Sequence, residues 1–153
     1  MRSISSAHFV SKLFSSSNFL LPRNSFVLQA SSEIICKDLL SYGEFSTYSW
    51  NLPDGLIESF SFDEIICFLR GYFDSEGSVG NYLVSASSVN RGGLVLVEKL
   101  LGKLGIACKV YDCKNAYSLV VSRKENIRKF KNLVGFTIFR KTRKLETMYN
   151  GKW

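Results

Sequence analysis

The chain has 153 residues, 46% of them apolar and 14% aromatic, which suits one domain with a real core and excludes a disordered tail. No run is long enough to cross a membrane, and four cysteines without a CxxC pair, with the one histidine far away at His8, argue against a zinc site. The net charge of +7 is uneven, with five Lys or Arg against nine Asp or Glu through Gly77 and fifteen against four from Ser78 onward; a basic half favours a polyanionic partner, and a plain solvated surface is the alternative.

Residues 1–25 contain Arg, Lys and many serines but no acid; the first acid is Glu33. That composition fits a mitochondrial or chloroplast transit peptide. The remnant of a preceding repeat, a disordered arm, and a short helix over Ala7 to Phe14 are the competing readings. The expected location is an organelle, mitochondrion or chloroplast, or a nucleoid. A gene carried inside an organelle genome would need no such signal.

Residues 26–60 read as a strand-helix extension. Phe26 to Ala30 looks like a strand, and Ser31 or Ser32 can cap a helix with apolar Ile34, Ile35, Leu39 and Leu40 that ends at Gly43. Tyr48, Trp50 and Leu52 alternate with polar residues before Pro53-Asp54-Gly55, a turn signal. The layout echoes Ser118 to Gly135, as the tail of a degenerate first repeat would. Strand, cap and helix are also a commonplace sequence of elements.

Ser61 and Glu64 form a capping-box pattern that opens the next helix. Ile65, Ile66, Phe68, Leu69, Tyr72 and Phe73 make it apolar on most sides, and Cys67 is expected to be a core thiol. Gly71 costs roughly 1 kcal/mol relative to Ala in an exposed helix, which makes sense if another backbone comes close. The helix then delivers Asp74 and Glu76 at its own end, before Gly77.

Beyond it, Ser78-Val79 and Tyr82 to Ser88 read as two short strands around Gly80-Asn81, and Asn90 to Gly93 as a break. Leu94 to Leu104 carries a helical stripe that Gly105 ends. Ile106 to Tyr111 and Tyr117 to Val121 are strands around a turn over Asp112 to Asn115. Cys108 and Cys113 lie where they can approach across this hairpin, although reduced thiols are expected. Ser122 and Glu125 repeat the capping-box pattern before Ile127, Phe130, Leu133 and Val134, with Gly135 as the stop. A short final helix closes near Tyr149. The fold class is therefore α+β, with an antiparallel sheet and a helix-strand-strand-helix-strand-strand-helix order from residue 61 to 153.

Leu69-Arg70-Gly71-Tyr72-Phe73-Asp74-Ser75-Glu76-Gly77 resembles the signature of the LAGLIDADG homing endonucleases, with Phe68 and Ser78-Val79 fitting on either side. The resemblance covers residues 61–146 well and 26–55 more loosely. It implies an αββαββα half-saddle whose antiparallel strands lie along the major groove of double-stranded DNA. Ser78 to Ser88 leaves room for only a short first hairpin, so fewer bases would be read.

The resemblance also implies site roles. Glu76 matches the metal-binding acid, and Ser75 lends its main-chain carbonyl to a divalent metal, Mg²⁺. Asp74 and Gly77 match the structural helix end. Lys141 falls where a basic residue stands near the active water, joined by a polar residue after the second strand, either Ser88 or Asn90. Phe68, Gly71 and Ser75, at i, i+3 and i+7, would form the stripe of a dimer interface, with a second copy or another LAGLIDADG chain opposite. Arg91, Lys109, Lys114, Arg123, Arg140, Arg143 and Lys144 are the expected DNA contacts, each with an unpartnered surface charge as its plainer reading. The implied function is sequence-specific, metal-dependent cleavage of double-stranded DNA by a dimer. A non-cleaving nucleic-acid binder such as an RNA maturase or transcription regulator, or an inactive fragment of a two-motif enzyme, stands beside it.

Overall fold

The computed structural model describes residues 32–41, 43 and 46–150. The chain divides into two compact units, Met1–Ser41 and Tyr42–Trp153. The described part of the first is one helix, α1 (Glu33–Ser41), where Glu33 and Lys37 pair at 2.7 Å one turn apart. It falls where the serine and glycine signals place it. The expected strand at 26–30 and the serine-rich residues 1–25 lie outside the described residues.

The second unit carries α2 (Asp54–Ser59), α3 (Phe62–Glu76), β1 (Gly77–Gly80), β2 (Leu83–Ser88), α4 (Arg91–Lys103), β3 (Cys108–Asp112), β4 (Tyr117–Ser122), α5 (Lys124–Leu133) and α6 (Phe139–Asn150). From α3 to α5 the order is αββαββα, and α6 follows it. The four strands form one antiparallel sheet in the order β1-β2-β4-β3.

Alternation along the strands sends Val79, Val84, Ala86, Leu119 and Val121 to one face, where all are buried. The helices close over that face. Ile65, Leu69 and Phe73 come from α3, Leu94, Val97, Leu100 and Leu101 from α4, Ile127 and Phe130 from α5, and Leu145 from α6. Phe73, Phe130 and Phe136 form a run of tilted rings with centroids 4.8 and 5.6 Å apart, an arrangement that ring quadrupoles favour. Burying each ring stabilises the fold by roughly 1.5–3 kcal/mol. These three rings therefore fix where the end of α3 lies against α5 and the turn before α6.

Several sequence expectations are corrected by the structure. Pro53-Asp54-Gly55 opens α2, with Pro53 at its N-cap, instead of making only a turn. Leu52 and Ile57 join the same core as α3 to α6, and Lys103 Nζ donates to the Ile57 carbonyl at 2.8 Å. Packing therefore shows no boundary at residue 60. α4 begins at Arg91, three residues before the apolar stripe, because Asn90 caps it. The Ser122 capping box does not form. Ser122 is still paired with Leu83 in the sheet, and Arg123 takes the N-cap position at φ 70° without a side-chain cap. Cys67 is exposed on α3 and not a core thiol; it, Cys108 and Cys113 are all free thiols. Burial, then the charge of Glu98, pushes the Cys108 thiol up to about 12.

Candidate functional site

The local sequence fixes the start of α3 firmly. Ser61 Oγ accepts from the Glu64 N–H at 3.3 Å, and Glu64 Oε2 accepts from the Ser61 N–H at 2.8 Å. Fifteen residues later the helix ends at Glu76, and the strand β1 starts at once with Gly77. The Gly77 N–H donates back to the Phe73 carbonyl, and a Cβ at this position would collide with that same carbonyl. The helix-to-strand switch thus requires glycine.

Two groups from the far end of the domain grip this helix end. Lys141 on α6 donates from Nζ to the carbonyls of Phe73 at 3.0 Å, Asp74 at 2.6 Å and, at the limit of a bond, Ser75 at 3.5 Å. A cation there meets the carbonyls of the last helical turn and the negative end of the helix dipole. Burial disfavours the Lys141 charge and Arg140 repels it, which outweighs the attraction of Asp74 and Glu76, so its pKa is lowered. In return, Asp74 Oδ1 accepts from the Thr137 N–H at 2.9 Å and the Ile138 N–H at 3.3 Å, just before α6. Partial burial works to raise the Asp74 pKa, but those hydrogen bonds and the charge of Lys141 hold it below the usual carboxylate range. Arg70, whose role the sequence did not suggest, binds the carbonyls of Val134 at 2.7 Å and Leu133 at 3.2 Å and so closes the C-terminus of α5. The signal for it was its place in the motif, one turn before Asp74.

Glu76 is exposed, and no hydrogen bond or ion pair engages its carboxylate among the described residues. Its charge is felt by Lys141 and by Tyr72. Burial, aided by Glu76, pushes the Tyr72 hydroxyl up to about 12, and that hydroxyl has no hydrogen-bond partner. The ring itself is held against Trp50, with centroids 5.6 Å apart.

Asn90 does not stand with Glu76 as a free polar group. It is 5% exposed; Oδ1 caps α4 by accepting from the Gly93 N–H at 3.0 Å, and Nδ2 donates to the Trp50 carbonyl at 2.7 Å. Ser88 Oγ accepts from the Asn90 N–H at 3.0 Å. Both candidates for the residue after β2 are therefore tied to the start of α4.

On α3, Cys67, Gly71 and Ser75 are exposed along one stripe, with Phe68 half-buried beside them. A Cβ at Gly71 would meet nothing within 4 Å. The glycine is not required by packing among the described residues.

The sheet face opposite the core is rich in hydroxyls. Ser78, Ser85, Val120 and Lys109 lie side by side across the four strands, and Ser87, Ser118 and Tyr111 make the next row. Ser78 and Ser85 share a hydrogen bond at 3.0 Å, and Lys109 Nζ lies 5.6 Å from the Tyr111 ring centroid. Other cations rim this face or stand apart from it. Lys114 is exposed in the β3–β4 turn, and Arg123 follows the Leu83–Ser122 pair at the sheet end, near Tyr82. Arg91 lies 3.6 Å from Asp112. Arg140, Arg143 and Lys144 are exposed on α6, and their side chains make no hydrogen bond or ion pair among the described residues.

No cluster of three His, Cys, Asp or Glu side chains suited to a metal occurs among the described residues. The oxygen donors that α3 offers are the free Glu76 carboxylate and the Ser75 carbonyl. That set fits Mg²⁺, which takes one or two protein oxygens and fills its other positions with water and phosphate.

A family model described as a LAGLIDADG-like domain matches residues 63–135. Over 117 residues the chain is 31% identical to the probable cell division protein WhiA of Lactococcus lactis, covering 72% of this chain and 36% of that protein. It is 34% identical over 81 residues to the probable translation initiation factor IF-2 of Thermococcus kodakarensis, covering 52% of this chain and 7% of that one. The chain thus spans a small part of the length of these relatives. Among solved structures, the N-terminal LAGLIDADG domain of DUF199/WhiA is 26% identical, with a TM-score of 0.46 over 50% of this chain and 41% of that one. I-DmoI in complex with DNA and Mn is 24% identical, with a TM-score of 0.46 over 53% and 47%.

Proposed function

On the premise that residues 63–135 are a LAGLIDADG-like domain, we propose that this chain is a sequence-specific double-strand DNA endonuclease that works as a pair of α3 helices. The observation that carries the reading is the state of Glu76. Asp74 and Lys141 are locked by hydrogen bonds at the end of α3, while the Glu76 carboxylate stands exposed and unengaged among the described residues. A structural acid at a helix end would be expected to bond a backbone group, as Asp74 does.

Glu76 and the Ser75 carbonyl would hold Mg²⁺, which when bound neutralises phosphate charge and activates water. Lys141 acts on the chemistry by holding the α3 carbonyls, which sets the direction in which Glu76 leaves the helix. Asp74 fixes the same end from the other side. Lys109, Lys114, Arg123 and Arg91 neutralise backbone phosphates around a serine face suited to groove contacts, and Arg140, Arg143 and Lys144 extend that charge along α6. One chain supplies one Glu76, and cutting two strands takes two. The open stripe of Phe68, Gly71 and Ser75 is where a second copy, or another chain of the same kind, would pack.

One observation favours a second reading, a nucleic-acid binder that does not cut. The Lys141 ammonium already reaches the Ser75 carbonyl, so a resident cation competes for the donor that a metal needs. Incubating the chain with a randomised-site duplex library, with and without Mg²⁺, separates the two. New ends that depend on Mg²⁺ support cleavage. A retarded but intact library puts binding alone in its place.

A further inference from the structure

We propose that Phe139 is a wedge that enters the duplex and unstacks a base step, beside the phosphates that α6 contacts. The inference rests on the nucleic-acid reading above and adds to it a residue that no part of that reading assigns.

Phe139 is the first residue of α6 and is 78% exposed; Ile138 before it is 41% exposed. A phenylalanine so placed gains nothing from the core. Its surroundings say what would cover it. Arg143 lies one turn along the same face, and Arg140 and Lys144 sit one turn apart on the neighbouring face of the helix. None of the three side chains makes a hydrogen bond or ion pair among the described residues. An exposed aromatic ring among uncompensated cations matches a polyanion with flat apolar faces inside it, which is a stacked duplex. The contrast within the chain is informative. Phe62 is 65% exposed as well, but Asp63 and Glu64 follow it, so a polyanion would be repelled there.

The wedge is also mounted rigidly. Asp74 accepts from the Thr137 and Ile138 N–H groups, directly before Phe139, and Lys141, two residues after it, grips the end of α3. Phe139 is thus fixed relative to the helix end that carries Glu76. A ring inserted between base pairs would open the step next to the phosphates that Arg140 and Arg143 hold. Apolar wedges of this kind bend duplexes toward the major groove.

Permanganate oxidation of thymine tests this, because it attacks thymines that have lost their stacking neighbours. The 153-residue chain is bound to a linear duplex of mixed sequence without divalent metal, and thymine reactivity is read across it. The wild type should raise reactivity by about tenfold at discrete positions, Phe139→Ala should abolish the rise, and Phe139→Trp should restore it. Because Phe139 is exposed, the alanine variant is expected to unfold at the wild-type denaturant midpoint, which checks that the loss is local. Duplex binding with no rise, or an equal rise with Phe139→Ala, overturns the wedge and leaves the nucleic-acid reading standing. No duplex binding at all overturns both. A change of oligomeric state in Phe139→Ala without DNA would assign the ring to a second copy and also overturn it.

Discussion

Asp74 and Lys141 each hold the end of the other's helix. The Asp74 carboxylate takes the N–H groups of Thr137 and Ile138 ahead of α6, while the Lys141 ammonium takes the last carbonyls of α3. The two residues are 67 apart in sequence, so the pair ties α6, which follows the αββαββα unit, back to the helix that opens it. Between them the chain leaves α3 at Glu76 in one defined direction.

Lys141→Ala should loosen that end. Losing a charged hydrogen-bond donor and a helix-dipole partner costs about 1–2 kcal/mol, read as a lower denaturant midpoint. Amide hydrogen exchange at residues 75–77 should rise more than in β4. Equal exchange at both places would mean that Lys141 does not set the Glu76 geometry.

Asp74 predicts an acid limb. Its folded pKa lies below the unfolded value of about 3.9, so the folded state binds fewer protons there. The stabilisation is present above the unfolded pKa and is lost as pH falls through the folded one. Asp74→Asn should lower stability near neutral pH and flatten the loss in acid. Parallel curves for the two proteins would contradict the assignment.

Gly71 should give effects of opposite sign on folding and pairing. A Cβ there meets nothing within 4 Å, so Gly71→Ala should stabilise the single chain by about 0.5–1 kcal/mol. Gly71→Leu should keep the chain folded and remove the pair in sedimentation. Alkylating Cys67, on the same stripe, should do likewise. Dimers that persist through both changes would move the seam off α3.

Asn90→Ala should act on the fold. The lost N-cap costs about 1–2 kcal/mol, and leaving the Trp50 carbonyl without its donor adds to that. DNA binding by the folded fraction should be unchanged. A loss of function at full stability would restore Asn90 to the chemistry.

What the sequence made legible had local causes. The capping box at Ser61, the apolar spacing of α3 and the alternation of Val84, Ala86, Leu119 and Val121 are short-range signals, and the elements formed where those signals lie. The misread features depend on partners distant in the chain. Cys67 reads as core because α3 is apolar on most sides around it, and only the placement of α4, α5 and the sheet decides which stripe stays open. Asn90 reads as a free polar residue until Trp50, forty residues earlier, is seen to take its amide. Ser122 reads as a cap until its pairing with Leu83 is known. Arg70 became intelligible once the end of α5 was seen at its guanidinium.

The most direct test of the account is cleavage of a randomised-site duplex library with Mg²⁺, wild type beside Glu76→Gln. Glu76 has no hydrogen-bond partner among the described residues, so the substitution should leave folding and duplex binding intact while new ends disappear. Equal ends from both proteins would contradict the role given to Glu76.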